Sequence, residues 1–155
     1  MEECKSTTIP MNQKEKFCRE DEVEKVDENL FRSLIWCLMY LTATGPDIMH
    51  SVSLLSRYMH CVIEIHFQAA KIILRYVKDT IDYGISFNKV ESLSFHGYSN
   101  SDWAWCVDDM RSTYGYCFSI RYGVFSWCSK KQKIIAQSTT EAEYVVVVAM
   151  VNQTP

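Results

Sequence analysis

The sequence predicts an α+β fold, with helices first, then an antiparallel sheet of three or four strands, then one closing helix. Three observations predict it. Apolar residues recur at helical spacing between residues 31 and 78,. Short runs rich in Tyr, Phe, Val and Trp, separated by polar turns, follow from residue 84,. Ser138 followed by Glu141 then marks the start of a last helix,.

The first helix is expected over residues 31–41, where Phe31, Leu34, Ile35, Leu38, Met39 and Leu41 share a face,. It stops at Thr44-Gly45-Pro46-Asp47. That segment also opens the second helix, which runs to about Tyr58. Thr44 is placed to cap the amide of Asp47, Pro46 fits a first turn, and Asp47 meets the positive end of the dipole,. A third helix over residues 64–78 is expected to bury Ile65, Ala69, Ile72, Ile73, Tyr76 and Val77. It carries Lys71, Arg75 and Lys78 at i, i+4 and i+7, a basic stripe,.

Strands are expected at residues 84–87, 93–99, 114–120 and 122–129,. The last helix contains four consecutive valines, Val145 to Val148. Together they cost roughly 2 kcal/mol in helix propensity, so tertiary burial is expected to override the local preference. The domain reading is a polar tail or linker at residues 1–29, a helical region at 30–82 and a sheet domain at 83–155.

Composition bounds the function. The chain has 155 residues, is 48% hydrophobic with 13% aromatics, and holds only 5 Gly and 3 Pro, so it can bury a core and is not low-complexity,. The first 29 residues hold nine acids and five bases, and the rest hold ten acids and eleven bases, so no overall basic footprint announces a nucleic-acid binder,. Seven cysteines without a C-x-x-C pair, and no leader ahead of them, give the expectation of reduced thiols in an intracellular, non-secreted protein,. The eleven-residue spacing of Cys106, Cys117 and Cys128 is read as core residues on successive strands and not as a metal site,. The longest apolar stretch, residues 144–151, is too short for a bilayer, which needs about 20 residues,.

Polar residues at a strand end, in Tyr98-Ser99-Asn100-Ser101-Asp102-Trp103, face Glu141 and Glu143 at a helix start. Such oxygens suit a hard divalent cation. The same residues also suit a solvated turn and a helix cap, and the residue types alone favour that second reading. Trp103, Trp105 and Trp127 are read as core before base-stacking,. His60, His66 and His96 fall in no ligand spacing.

A series of motifs sharpens this. Thr44-Gly45-Pro46-Asp47-Ile48, Leu55-Ser56-Arg57-Tyr58, His66-Phe67-Gln68-Ala69-Ala70-Lys71 and Leu74-Arg75-Tyr76-Val77-Lys78 come first. Asp102-Trp103-Ala104, Arg111-Ser112-Thr113, Ser126-Trp127, Ser129-Lys130-Lys131-Gln132 and Ser138-Thr139-Thr140-Glu141-Ala142-Glu143-Tyr144 follow. In this order they resemble copia-type (Ty1/copia) retrotransposon Pol polyproteins, over nearly the whole chain. The resemblance implies that residues 30–78 correspond to the connection after a reverse transcriptase core, and that residues from about 93 begin a ribonuclease H-like sheet domain.

In that family an acidic cluster holds two Mg²⁺ ions, which activate water to hydrolyse the RNA strand of an RNA–DNA hybrid. The resemblance puts the first ligand, normally Asp, on Asn100 and the second on Glu143, with the later acids beyond residue 155. A neutral carboxamide lowers the charge two dications need, so the expectation is that Mg²⁺ is not bound productively, with Asp102 a substitute ligand beside Glu143. It further implies Gly45 for an Arg, Val62 for a Pro, Ile72 for an Arg, Trp105 for a Gly, and Arg121 near a Gly turn, as in a decayed or truncated copy. The expectation is therefore an inactive reverse transcriptase and ribonuclease H remnant lacking the rest of Pol. Its alternatives are residual metal-dependent hydrolysis and a domesticated interaction module, with Lys71, Arg75 and Lys78 as nucleic-acid contacts or simply a solvated face. A bare strand edge beside the Val-rich helix gives an expectation of poor solubility.

Overall fold

The computed structural model describes residues 7–12, 16–19, 26–89 and 94–153. It divides into two units, Met1–Tyr83 and Gly84–Pro155. Among the described residues the elements are four α-helices and a three-stranded antiparallel sheet, three of the helices ahead of the sheet and one after it.

In the first unit, α1 spans Glu28–Leu41 and starts three residues earlier than its apolar period, because Asp27 caps it. The Asp27 carboxylate accepts from the amides of Asn29 at 2.9 Å and Leu30 at 3.2 Å,. The predicted second helix is broken up: a 3₁₀ turn at Pro46–Ile48, α2 at Met49–Leu55, and another 3₁₀ turn at Ser56–Tyr58. Thr44 does not cap it. Its hydroxyl donates back to the Leu41 carbonyl at 3.3 Å, finishing α1, and Gly45 takes the cap position without a side-chain bond.

Helix α3 spans Glu64–Asp79, close to the expected bounds. Ala69 and Ile73 are buried as expected, with Tyr76 and Val77 partly buried against the same core, but Ile65 is half-exposed and His66 and Ala70 are buried in addition. His66 stacks on Tyr58 at 4.2 Å between ring centroids, and Phe17 tilts against both. The polar head segment thus belongs partly to the core. Met11 and Phe17 are buried with Phe31, Ile35 and Leu38, and the Tyr58 hydroxyl donates to the Phe17 carbonyl at 3.0 Å. Tyr76 donates to Asp47 at 2.7 Å, and that bond, with burial, pushes the phenol pKa up to about 12.

In the second unit, β1 (Phe95–Ser101), β2 (Thr113–Ile120) and β3 (Gly123–Lys131) lie in chain order, so β1 is an edge strand. Residue 93 falls outside the described residues. Residues 84–87 form no strand; Phe87 lies over Gly123, where an added Cβ would collide with its ring. Register places Phe95 opposite Ile120 and Ser101 opposite Tyr114. It also pairs Cys117 with Trp127 and Cys128 with Tyr116, so strand alternation sends the two thiols to opposite faces,.

Helix α4 (Thr139–Val151) packs chiefly on β1 and then on β2. Gly97 permits the approach, since a Cβ there would overlap the Met150 methyl group. Ser138 caps the helix as expected, accepting from the Glu141 amide at 3.1 Å, while the Glu141 carboxylate accepts from the Gln137 amide at 2.7 Å,. Burial does not explain the valine run: Val146 is buried, but Val147 and Val148 are exposed.

The β2–β3 loop is Arg121-Tyr122, and Arg121 has φ of 56°. A positive φ at the first loop residue is the place where two-residue hairpins favour glycine. Arg121→Gly is therefore expected to stabilise the sheet by about 1 kcal/mol, read as a higher urea midpoint at unchanged slope. A lower midpoint would refute that reading of the loop.

Candidate metal and nucleic-acid site

The predicted metal-site residues Asn100, Asp102 and Glu143 lie around the end of β1 and the start of α4. Asn100 is exposed on β1, opposite Gly115. One residue on, the backbone amide of Ser101 donates to Glu143 Oε1 at 3.2 Å, so the second turn of α4 is tied to the strand end. Glu143 thus stands beside the Asn100 backbone.

Asp102 lies just past β1. Its backbone amide donates to the Thr113 carbonyl at 3.0 Å, and the Thr113 amide donates to the Asp102 carboxylate. A side-chain oxygen takes the position that the next backbone carbonyl of the ladder would fill, which closes the β1–β2 pairing at this point.

Gln132, which lies in a motif but not among the predicted site residues, holds the arrangement together. It is 2% exposed, and its Nε2 donates to the Ala142 carbonyl at 2.9 Å and to Ser101 Oγ at 3.3 Å. One amide thereby bridges the residue after β3, the end of β1 and the first turn of α4. The Ser112 carbonyl accepts from the Gln132 amide at 2.8 Å, and Ser112 Oγ accepts from the Ala104 amide at 3.1 Å. The Arg111-Ser112-Thr113 and Lys131-Gln132 segments are thus the frame of the strand-end loop. A polar residue directly after a strand is a weak local signal, and nothing in the chain near Gln132 points to its partners.

A charged cluster flanks this frame. Lys131 Nζ lies 2.7 Å from an Asp109 carboxylate oxygen and donates to Cys106 Sγ at 3.2 Å. Burial opposes ionisation of Asp109, but the bonds from Lys131, Cys106 and the Arg111 amide outweigh it and hold its pKa below the ordinary carboxylate value,. Trp103 is half-exposed with its indole N–H donating to the Ala136 carbonyl at 3.0 Å, and Trp105 and Trp127 are part-buried.

The basic stripe lies on α3 in the other unit. Lys71 Nζ sits 4.4 Å above the Phe67 ring, and Arg75 Nε donates to the Lys71 carbonyl at 3.4 Å. Both are part-buried, and Lys78 is exposed. Among the described residues no three His, Cys, Asp or Glu side chains gather as a metal cluster would require, and no helix is long and apolar enough to cross a membrane.

No family model matches the chain, and no solved structure matches it. Curated relatives do. The chain is 42% identical over 140 residues to the retrovirus-related Pol polyprotein from transposon RE1 of Arabidopsis thaliana, covering 90% of this chain and 10% of that one. It is 39% identical over 116 residues to the corresponding polyprotein from transposon TNT 1-94 of Nicotiana tabacum, covering 74% and 9%. It is 40% identical over 116 residues to the secreted RxLR effector protein 161 of Plasmopara viticola, covering 74% and 82%. The chain therefore spans about a tenth of the length of the two transposon polyproteins.

Proposed function

The chain belongs to the copia-type retrotransposon Pol polyproteins, and from that premise we propose that it is a reverse transcriptase and ribonuclease H remnant that does not itself hydrolyse RNA. The observation that carries this reading is the donor set at the end of β1. Asn100 offers a neutral amide where the resemblance places the first metal carboxylate. The Asp102 carboxylate, its nearest substitute, holds the Thr113 amide. One oxygen of Glu143 holds the Ser101 amide.

A pair of Mg²⁺ ions would need several anionic oxygens free to hold it. The residues present do not fit that pair. Turning Asp102 toward a metal would strip the Thr113 amide of its partner, at roughly 1–3 kcal/mol. RNA–DNA hybrid remains the class of nucleic acid that the resemblance implies for the polyprotein as a whole, with Lys71, Arg75 and Lys78 as the proposed phosphate contacts. Lys71 and Arg75 are partly engaged within α3, which supports only weak, salt-sensitive binding.

The test is hydrolysis of a labelled RNA–DNA hybrid by the full chain in Mg²⁺ or Mn²⁺. No cleavage above the metal-only rate is expected. Cleavage that requires the metal and vanishes in both Asp102→Asn and Glu143→Gln would replace this reading with residual ribonuclease H activity. Hybrid binding without cleavage, lost with salt and in a Lys71→Ala, Arg75→Ala, Lys78→Ala variant, would favour an interaction module.

A further inference from the structure

Helix α1 is apolar on both sides. Phe31, Ile35 and Leu38 face the core at 0% exposure. On the opposite side, Leu30, Ser33, Trp36, Cys37, Tyr40 and Leu41 form one stripe at helical spacing, and all six are exposed,. Trp36 is 62% and Tyr40 83% exposed. A helix that is apolar all round is normally covered on all sides.

We propose that this outer face of α1 pairs with the same face of a second copy of the chain, the two helices crossing about a two-fold axis near Cys37. Three observations favour a second copy. The stripe carries no charge, and none occurs in the chain from Ser33 to Pro46, so two identical faces meet without like-charge repulsion despite the net charge of -3,. It presents a Trp and a Tyr, the residue types that anchor interfaces, beside the small Ser33 and Cys37 that let two backbones approach,. The exposed apolar parts come to roughly 500 Å² per copy, taking an aromatic side chain as about 150–250 Å². Two such faces bury on the order of 1,000 Å², the lower bound of a specific interface.

A second apolar stripe, Tyr144, Val147, Val148 and Val151 on α4, is exposed as well. It has one aromatic and three small aliphatics, so it buries less and lacks a comparable anchor. The α1 face is therefore the stronger self-association surface.

Sedimentation velocity of the full chain over a range of micromolar concentrations tests this, with far-UV circular dichroism confirming that each variant is folded. A reversible monomer–dimer equilibrium is expected. Trp36→Glu and, separately, Tyr40→Lys each raise the dissociation constant at least about tenfold, while Val148→Lys leaves it within about twofold. A bismaleimide is expected to link two copies in the wild type and not in Cys37→Ser. A concentration-independent monomer overturns the proposal, as does association that persists in Trp36→Glu and Tyr40→Lys or is lost in Val148→Lys alone.

Discussion

Phe118→Ala is expected to destabilise the sheet unit by about 3–5 kcal/mol, the cost of emptying a large buried aromatic site. Phe118 is 1% exposed near the end of β2. Its ring stacks with Phe95 at 5.4 Å and Phe125 at 6.3 Å, and Tyr116 tilts against it at 5.6 Å. It also fills the space that Gly97 leaves open beneath α4. Few neighbours can collapse into the void, because the other buried apolar residues of this unit among those described are Cys106, Ala136, Ala142 and Val146, all small or medium in size. A unit of this length has a total stability of roughly 4–11 kcal/mol, so the substitution removes a large part of it. Hydrogen exchange by mass spectrometry is the measurement: peptides covering β1 to β3 are expected to lose protection near neutral pH. A loss below about 1 kcal/mol would mean that Phe118 is not the centre of this core.

Gln132→Leu is expected to cost about 2–3 kcal/mol and to loosen the strand-end site. Leucine matches the volume and removes the donor. The Ala142 carbonyl, 2.9 Å from Nε2, and Ser101 Oγ would then face a hydrocarbon in a place that is 2% exposed. Because Ala142 is next to Glu143, the helix start that brings Glu143 to the Ser101 amide loses its tie to β3. The expected signature is a lowered thermal midpoint together with a shifted Ser101 amide resonance. Gln132→Glu should cost more, since a carboxylate there would meet a carbonyl in place of a donor. If Gln132→Leu melts with the wild type, the amide is not the bridge described above.

Much of the chain order was readable because local chemistry fixes it. The Ser138 cap, the bounds of α3 and the three strands follow from signals spanning a few residues, and the structure contains each of them. The motif series was readable for the same reason, because each motif is a short run of residues in a fixed order. Two element readings failed, the strand at 84–87 and the unbroken second helix, and the other failures concern what a side chain faces. Thr44 has two backbone groups within reach, and it donates backward to Leu41 where the cap was expected. Apolar spacing on α3 allowed Ile65 or His66 to point inward, and the rings of Tyr58 and Phe17 settled it for His66.

Sequence by itself determined the fold class, the order of helices and strands, the bounds of α3 and the absence of a carboxylate at position 100, since these depend on backbone preference, capping and residue identity. Tertiary structure alone decided that Met11 and Phe17 join a core, that Val147 and Val148 stay exposed, and that the Asp102 carboxylate closes a ladder. It alone decided too that Gln132 bolts three elements together. The physical reason is range: a cap or a turn is settled within about four residues, whereas burial and hydrogen-bond partners depend on groups brought close only when distant segments pack.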